Sequence, residues 1–562
     1  MKKETTLLLI ALLLATFGTL SAQQWGDYTL YSTQNGSNAY LIDTSGVTYH
    51  TWTFAANKKT GYSSYLMPGG TIVRSVANQG NALNGGGMTG AVQKADYNGT
   101  ILWDFVYSSA TYCLHHDICP LPNGNVLMIS YEVKTAAEAT QAGCSQNMVI
   151  WSEKIIEVQP TGATTGTIVW EWHAWDHLVQ NANAAKDNYY ATIVDHPELL
   201  NINYQTTKDW MHMNGLDYNA NLDQISFSSH ALNELYVIDH STTSAQAATH
   251  AGGNSGKGGD LLYRWGNPAA YSATGTNIFH TVHDAHFVPE DCPHAGDLVG
   301  YNNNGISNNQ SCVDRVKPPR NGYNYTITAG SAYLPSTYTQ RHVCNGHNNN
   351  MGNSQNLPNG NILVCVAQSG LIYEADSNGN TIWSKTIAGT VPQAFRYSAC
   401  YVSGNNPVPT PIISQSGNVL TASTNGASYI WYLNGTVISG ATNQSYAATQ
   451  SGTYQVQVKD ANGCISTISV EFAYINTGIA TEYNSQAFQV FPNPTTSALY
   501  LAGTAIDKGN YSLYLYDVYG KGVLTAQNTA KLEVGNLPNG VYYLTLKNGN
   551  NQSFTQKIVI IQ

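Results

Sequence analysis

Leu121-Pro-Asn-Gly-Asn-Val-Leu-Met128 is the stretch that decides the fold, because it joins a tight turn to an apolar β run. A near copy stands at Leu357-Pro-Asn-Gly-Asn-Ile-Leu-Val364, and Met67-Pro-Gly-Gly-Thr-Ile-Val73 is a weaker one. Pro, Asn and Gly suit the backbone angles of turns, whereas the β-branched residues after them favour strands. The repeated pairing predicts hairpins.

A second repeated element is a strand that ends in tryptophan. Its copies are Gly99-Thr-Ile-Leu-Trp103, Gly166-Thr-Ile-Val-Trp170, Gly379-Asn-Thr-Ile-Trp383 and the variant Asp260-Leu-Leu-Tyr-Arg-Trp265. Together, the two elements predict an all-β fold in which residues 23–404 form a β-propeller of about six blades. The uneven spacing makes residues 176–209 and 241–259 insertions. A parallel β-solenoid is the alternative.

Two smaller β domains are predicted after a proline-containing linker at 407–411. Residues 408–475 contain short alternating strands around Trp431 and Tyr454, a pattern that indicates an Ig-like sandwich acting as a spacer. Residues 487–562 read as one more small β-sandwich.

The N-terminus and the composition define the compartment and exclude some partners. Residues 1–22 have the basic start, short apolar core and small-residue end of a signal peptide, which predicts export. No later stretch is apolar enough to span a membrane. Charged residues are only 10 % of the chain and no basic stretch occurs, so nucleic acid is an unexpected partner. The nine cysteines are read as structural, with local disulfides such as Cys292–Cys312 feasible after export.

Three ordered motifs near the C-terminus resemble a known sorting signal. They are Phe488-Gln-Val-Phe-Pro-Asn-Pro494, Tyr514-Leu-Tyr-Asp-Val-Tyr-Gly-Lys521 and Leu537-Pro-Asn-Gly-Val-Tyr-Tyr-Leu544. This set is similar to the C-terminal sorting domain of the type IX secretion system. The resemblance implies that the secretion machinery is a partner and that the protein is secreted or displayed at the cell surface.

Histidines recur at one register of the repeat. His116 lies six residues before Pro122, His283 six before Pro289, and His212 six before the turn at 218–221; Gly352 holds this position before Pro358. The innermost strands of propeller blades line a common channel, so residues at one register face each other. We therefore expect His116, His212 and His283 to share a site.

The residue types leave two kinds of chemistry open. Imidazole acts as a nucleophile, a general acid or base, or a donor to an anion, and three histidines also suit zinc. Asn214 and His230 are further candidate donors for developing negative charge. By contrast, Tyr301-Asn-Asn-Asn-Gly305 is predicted to be a turn.

Motifs around these histidines resemble bacterial aryl-sulfate sulfotransferases. They are Trp210-Met-His-Met-Asn-Gly-Leu-Asp-Tyr218, Ile225-Ser-Phe-Ser-Ser-His-Ala-Leu-Asn-Glu-Leu-Tyr-Val-Ile-Asp239, Leu114-His-His-Asp-Ile118 and Val282-His-Asp284. The resemblance implies transfer of a sulfuryl group from a phenolic sulfate to a phenol acceptor through a sulfo-histidine, with no nucleotide or other cofactor and no metal.

The resemblance also assigns roles. His283 would be the nucleophile, His212 and His116 would hold the sulfuryl oxygens and protonate the leaving phenolate, and Asn214 would donate. His115 is the less favoured neighbour of His116, since adjacent strand residues point to opposite faces.

This chain departs from the family pattern at two positions: His230 replaces an arginine, and Val282 replaces the glutamine before the histidine. A histidine titrates near neutral pH and offers at most two donors, so anion binding would be weaker and pH-dependent. Arg264 is a candidate to compensate. Two alternatives remain from the residues alone: a non-catalytic propeller that binds glycans or surface partners, and a metal-dependent enzyme that uses the histidines.

Overall fold

The computed structural model describes residues 24–561, except residues 79, 308, 406–407, 462–463, 467, 476–487, 504–505, 507–509, 519 and 549–552. The predicted signal peptide, residues 1–22, lies outside the described residues. Between Tyr28 and Tyr397, the described chain forms six four-stranded antiparallel sheets. We number them as blades 1 to 6.

The strands of each blade run from the innermost to the outermost. Blade 1 comprises Lys59–Met67, Thr71–Ala77, Gly90–Ala95 and Ile101–Val106; blade 2 Tyr112–Pro120, Val126–Lys134, Ile150–Pro160 and Gly166–His173; blade 3 Met213–Asn219, Gln224–Ser229, Glu234–Asp239 and Tyr263–Trp265; blade 4 Val282–Phe287, Leu298–Ser307, Gln310–Val316 and Gln340–Val343; blade 5 Asn353–Asn356, Ile362–Val366, Leu371–Ala375 and Thr381–Thr386; blade 6 Ala394–Tyr397, Tyr28–Ser32, Asn38–Asp43 and Thr48–Thr53.

Blade 6 closes the ring, because it combines an inner strand late in the chain with three strands from its beginning. Ala394–Tyr397 pairs antiparallel with Tyr28–Ser32. The innermost strands of successive blades pack side by side. The Phe395 ring of blade 6 lies 4.8 Å from the Tyr65 ring of blade 1, and the Leu66 N–H donates to the Tyr397 hydroxyl at 3.1 Å. The predicted β-propeller with about six blades is therefore confirmed, and the solenoid alternative is not the fold.

The repeated tryptophan has a structural role between blades. Within the described residues, the outermost strands of five blades carry a tryptophan whose indole N–H donates to a carbonyl of the following blade, in the loop before that blade's outermost strand. These bonds are Trp52 to Asp96, Trp103 to Thr165, Trp172 to Gly259, Trp265 to Pro335 and Trp383 to Thr44, at 2.7 to 3.0 Å. Blade 4 uses a different bond, between His342 and the Tyr373 hydroxyl at 2.8 Å. In blade 2 this tryptophan is Trp172, two residues after the motif residue Trp170. These bonds hold neighbouring blades together, and all of the rings except that of Trp383 are buried.

The Pro-Asn-Gly-Asn turns join the first and second strands of blades 2 and 5, as predicted. In blade 2, the Gly124 N–H donates to the Leu121 carbonyl at 2.9 Å. Gly124 has a φ of 87°, a left-handed conformation that glycine adopts without steric cost. Tyr301–Gly305 is a correction, because these residues lie within a strand of blade 4 rather than in a turn.

Short elements lie in the loops within and between blades. The helices are Ala136–Gln141, Ser244–Ala247 and Ala399–Ser403; the 3₁₀ turns are Ala174–Asp176, Ile193–Asp195, Pro268–Tyr271 and Ala367–Ser369; the two-stranded sheets pair Leu178–Val179 with Leu200–Asn201 and Arg320–Asn321 with Asn324–Tyr325. No helix among the described residues has the length and hydropathy that a membrane crossing requires.

Four further sheets follow the propeller. Those of the middle segment contain Ile413–Ser416, Val419–Ala422 and Ser445–Ala447, and Thr436–Val437, Ser428–Leu433, Gly452–Lys459 and Phe472–Tyr474; those of the C-terminal segment contain Gln489–Phe491, Ala498–Ala502 and Lys531–Glu533, and Gly522–Gln527, Tyr511–Asp517, Gly540–Asn548 and Ser553–Ile560. The six blades belong to one compact unit and the C-terminal sheets to another.

The cysteines pair differently from the sequence-based suggestion. Cys400 and Cys464 form a disulfide, whereas Cys292 and Cys312 are both free and buried. The local pair suggested from the sequence is therefore wrong.

Candidate active site

The inner strands of blades 1 to 4 share a local distortion near the channel axis. Their pairing with the second strand shifts register between Thr60 and Ser64, Leu114 and Ile118, Met213 and Gly215, and His283 and His286. Positive φ angles occur at His116 (48°) and His212 (52°). Such bulges re-aim side chains and are common beside active sites.

The structure brings together the three histidines of the predicted register and adds His230. The rings of His116 and His212 lie 4.6 Å apart between centroids, those of His212 and His230 5.1 Å, and those of His230 and His283 5.7 Å. His116 and His283 are buried. The four rings form a continuous cluster drawn from blades 2, 3 and 4, which we call the histidine cluster.

His283 is held in a defined tautomer. Its Nδ1–H donates to the Asn303 side-chain oxygen at 2.7 Å, and its Nε2 accepts the Met351 backbone N–H at 3.1 Å. The other end of the Asn303 amide donates to the Met351 carbonyl at 2.9 Å. Burial, with His230 nearby, lowers the pKa of His283 to about 3. At neutral pH the ring is therefore neutral, with its lone pair on Nε2.

His116 ends a relay of three buried groups. The Glu153 carboxyl lies 2.7 Å from His115 Nε2, and His115 Nδ1 lies 2.9 Å from His116 Nδ1. Burial raises the pKa of Glu153 well above its usual range and lowers the pKa of both histidines. A protonated Glu153 donates to His115, which then donates to His116. His116 is left with an N–H on Nε2, the polarity that an anion needs.

His115 therefore lies between Glu153 and His116 in this relay. The alternation rule separates their side chains in a regular strand. Here the bulge and the positive φ of His116 bring the two Nδ1 atoms into contact.

His212 is the ring of the cluster whose pKa is raised. Its Nδ1 donates to Asp209 at 2.5 Å, and its pKa is raised because this hydrogen bond and the aspartate charge outweigh burial. The same contact lowers the pKa of Asp209. The other three rings of the histidine cluster have lowered pKa values, so His212 is the ring of the cluster that binds a proton most readily.

The expectation that His230 titrates near neutral pH is corrected by its surroundings. Burial and the neighbouring His212 lower the pKa of His230 to about 4, so the ring is a neutral donor near neutral pH. Arg264 is not a member of the histidine cluster. It lies in the outermost strand of blade 3, where its guanidinium bonds to the Glu234 carboxylate and to the carbonyls of Pro197 and Leu199. This placement corrects its predicted role as a substrate-binding residue.

Asn214 lies beside the cluster but is occupied by protein bonds. Its amide nitrogen donates to the Val282 carbonyl at 2.8 Å, and its oxygen accepts the Ser228 hydroxyl at 2.7 Å. These bonds tie blade 3 to the residue before His283. The geometry favours a positioning role over the predicted role as a donor to substrate.

Several residues of the site were missed by the sequence reasoning. Tyr62 stands six residues before Pro68 in the weakest copy of the repeat, and its ring lies 5.2 Å from that of His116. The shared register could therefore have identified Tyr62 as a residue of the site. Gly86 and Gly87 leave room for the rings of His212 and His116, since a Cβ at Gly87 would lie 1.9 Å from His116 Cε1. The sequence around Glu153 and Asn303 contains no motif that indicates their role in the site.

A cavity of about 560 Å³ lies toward the C-terminal ends of the inner strands, and none of the four histidines lines it. Its lining includes Asp117, Asp217, Asp284 and His286. Burial raises the pKa of Asp117 to about 7 and raises that of Asp217. We call this region the acidic end. Its carboxyl groups disfavour a sulfate, so the histidine cluster is the better candidate site for an anionic substrate.

The metal alternative for the histidine cluster finds no support in the geometry. Among the described residues, the cluster is not one of the groups in which three potential ligand atoms lie within 4.8 Å of one another.

Comparisons with known proteins agree with both resemblances. Residues 20–385 match the family model described as arylsulfotransferase (ASST), and residues 489–561 match the model described as a secretion system C-terminal sorting domain. Both resemblances are thereby confirmed. The sorting domain marks the protein for export and for secretion or display at the cell surface. None of the curated proteins matches the chain.

Similar solved structures are distant. A protein of unknown function from Bacteroides caccae is 12 % identical, covers 66 % of this chain and 98 % of its own, and has a TM-score of 0.37. A putative 6-phosphogluconolactonase from Bacteroides fragilis is 11 % identical over the same shares, with a TM-score of 0.34. At such TM-scores these similarities support no argument about this chain.

Proposed function

The chain belongs to the arylsulfotransferase family, and on that premise we propose that it moves a sulfuryl group from a phenolic sulfate ester to a phenol acceptor through a sulfated His283. The observation that carries the proposal is the histidine cluster itself. It offers a neutral imidazole with a fixed lone pair, a charged imidazole and two neutral donors at one place in the channel.

In the first half-reaction, Nε2 of His283 attacks the sulfur of the aryl sulfate. The N–S bond forms as the bond from sulfur to the phenolic oxygen breaks, and the departing phenolate takes the proton from the His212 imidazolium. His116 and His230 donate to the sulfuryl oxygens, where fixed donors in a buried site are most effective. The Met351 N–H occupies the His283 lone pair, so this hydrogen bond opens when the donor binds.

In the second half-reaction, the acceptor phenol gives its proton to the neutral His212, and the phenolic oxygen attacks the sulfur. The S–N bond breaks, and both histidines return to their starting states. No metal or nucleotide enters either step. The Asn303 bond to Nδ1 supports the mechanism because it keeps the ring proton on Nδ1, which leaves Nε2 available to form and then release the N–S bond.

The decisive experiment is turnover of p-nitrophenyl sulfate with a phenol acceptor, read as released nitrophenol. His283→Ala is expected to lower the rate by more than about 10³-fold, in line with the loss of other catalytic nucleophiles. His280→Ala is the matched control, since it removes an exposed histidine three residues earlier. Absence of nitrophenol from the wild type at every pH between about 6 and 9, the range of histidine titration, would sink the proposal.

A further inference from the structure

A second histidine group lies outside the channel, where two insertions meet. His177 follows the 3₁₀ turn Ala174–Asp176, whereas His250 and Asp260 belong to the insertion between the third and fourth strands of blade 3. Nδ1 of His177 lies 2.9 Å and Nδ1 of His250 2.7 Å from the same carboxylate oxygen of Asp260. His177 and Asp260 are buried, and His250 has 59 % of its side chain exposed.

The hydrogen bonds of His177 make this arrangement unusual. Its Nε2 lies 2.8 Å from the Ala247 carbonyl, which can only accept, so the ring proton sits on Nε2. In the neutral ring, Nδ1 then points its lone pair at Asp260, whose carboxylate is also an acceptor. Two acceptors at 2.9 Å require something positive between them, either a second proton or a cation.

We propose that His177, His250 and Asp260 bind a divalent transition-metal ion of the zinc type. Two imidazole nitrogens and one carboxylate oxygen are a common donor set for such ions, with a water as the fourth ligand. The bond from His177 Nε2 to a backbone carbonyl is the outer-shell contact that typically orients a metal-binding histidine. Among the described residues, the three ligand atoms lie within 4.8 Å of one another.

The local structure allows the ion to enter. Metal–ligand distances of about 2.0–2.2 Å place tetrahedral ligands roughly 3.4 Å apart. The distances from the two imidazole Nδ1 atoms to the Asp260 oxygen therefore have to increase by about half an ångström when the ion binds. The exposed His250 ring has the freedom to make that movement, whereas His177 is held against Trp172 with parallel rings 5.7 Å apart.

The ion would have a structural role and not a catalytic one. Trp172 already donates to the carbonyl of Gly259, the residue before Asp260, so the site strengthens the bond between blades 2 and 3. None of its ligands belongs to the histidine cluster. The inference is therefore independent of the proposed sulfuryl transfer.

The test is metal binding by the full chain after treatment with a chelator. Titration with cobalt(II) is expected to give the visible spectrum of a tetrahedral site at one equivalent, and zinc is expected to displace the cobalt and raise the melting temperature. His250→Ala, which removes the exposed ligand and leaves the buried core intact, is expected to lose the spectrum and the zinc-induced shift.

Two further variants make the result specific. His196→Ala removes another imidazole–carboxylate pair, to Glu198 at 3.0 Å, and is expected to keep the metal. His212→Ala is also expected to keep it. If wild type binds no cobalt, or if His212→Ala loses the metal while His250→Ala retains it, the proposed site is wrong.

Discussion

The two ends of the central channel are made from the same inner strands but have opposite electrostatic character. One end presents the histidine cluster, and the other presents Asp117, Asp217 and Asp284 around the cavity. In two strands the contrast falls between consecutive residues, His116 to Asp117 and His283 to Asp284. A bulge at this point of each strand sends one side chain toward each end.

Each end also contains one histidine with a raised pKa. Asp209 raises the pKa of His212, and the pKa of His286 is raised to about 9, chiefly by Asp284 against the effect of burial. The two histidines differ in their neighbours: three imidazoles with lowered pKa values and Asp209 lie near His212, whereas carboxyl groups lie around His286. We conclude that these surroundings, and not the residue type, decide which end suits an anion.

The strongest way to break this comparison is to remove the two charged histidines in turn. His212→Ala is expected to lower turnover of p-nitrophenyl sulfate by about 10²–10⁴-fold, the usual contribution of a general acid. His286→Ala is the matched variant at the acidic end and is expected to leave the rate within about threefold, or less than 1 kcal/mol of barrier. Equal losses in the two variants would contradict the assignment of the histidine cluster as the reacting end.

The charge of His212 is tested separately by the pH profile. Its proton is present below its raised pKa and is lost as the pH rises through that value, so kcat/KM falls on the alkaline side. Asp209→Asn removes the contact that raises the pKa of His212. The falling limb therefore moves to lower pH, and turnover at neutral pH drops about tenfold. An unchanged limb would show that His212 is not the acid.

Substitutions in the relay behind His116 are expected to change turnover less, and Glu153→Gln is a conservative control. Glu153→Gln keeps an acceptor for the Met213 N–H and a donor for His115, which imitates the protonated carboxyl. It is expected to retain turnover. Glu153→Leu removes the donor and is expected to lower kcat a few-fold to about tenfold, the usual contribution of one hydrogen bond between neutral groups. Melting curves of both variants separate this effect from misfolding, and equal rates for Gln and Leu would contradict the relay.

The smallest catalytic effect is expected at the acidic end. Asp217→Asn should leave turnover within about twofold, or roughly 0.4 kcal/mol of barrier. Its stability is the informative readout. Because burial raises the pKa of Asp217, wild type loses stability as the pH rises through that pKa, and the asparagine variant does not. The melting temperature of the variant minus that of wild type is therefore expected to rise with pH; a difference that falls with pH would contradict the assigned direction.

The sequence was sufficient for features that depend on local chemistry. Turn residues at 121–125 and 357–361 and the repeated tryptophan strands predicted the propeller, because both signals act over a few residues. The register of His116, His212 and His283 followed from the turns, since each turn fixes the end of an inner strand. Tyr62 obeys the same rule and was overlooked only because its copy of the repeat is weak.

Features that depend on strand pairing were not predictable. Glu153 and Asn303 lie in other strands of their blades and reach His115 and His283 only through sheet assembly. Tyr301–Gly305 looked like a turn, yet the blade satisfies its asparagines: Asn302 donates to the Ile278 carbonyl and to Asp314. Arg264 was chosen for its charge, and only the structure reveals Glu234 as its partner.

The closure of blade 6 sets the order of events during synthesis. Strand Tyr28–Ser32 is made early, but its partner Ala394–Tyr397 emerges only after the other five blades. For all that time, the early strand has an open edge whose N–H and C=O groups are available to any other chain. Ring closure is consequently a late step, and a nascent chain on its way to export is most prone to aggregation just before residue 397 arrives.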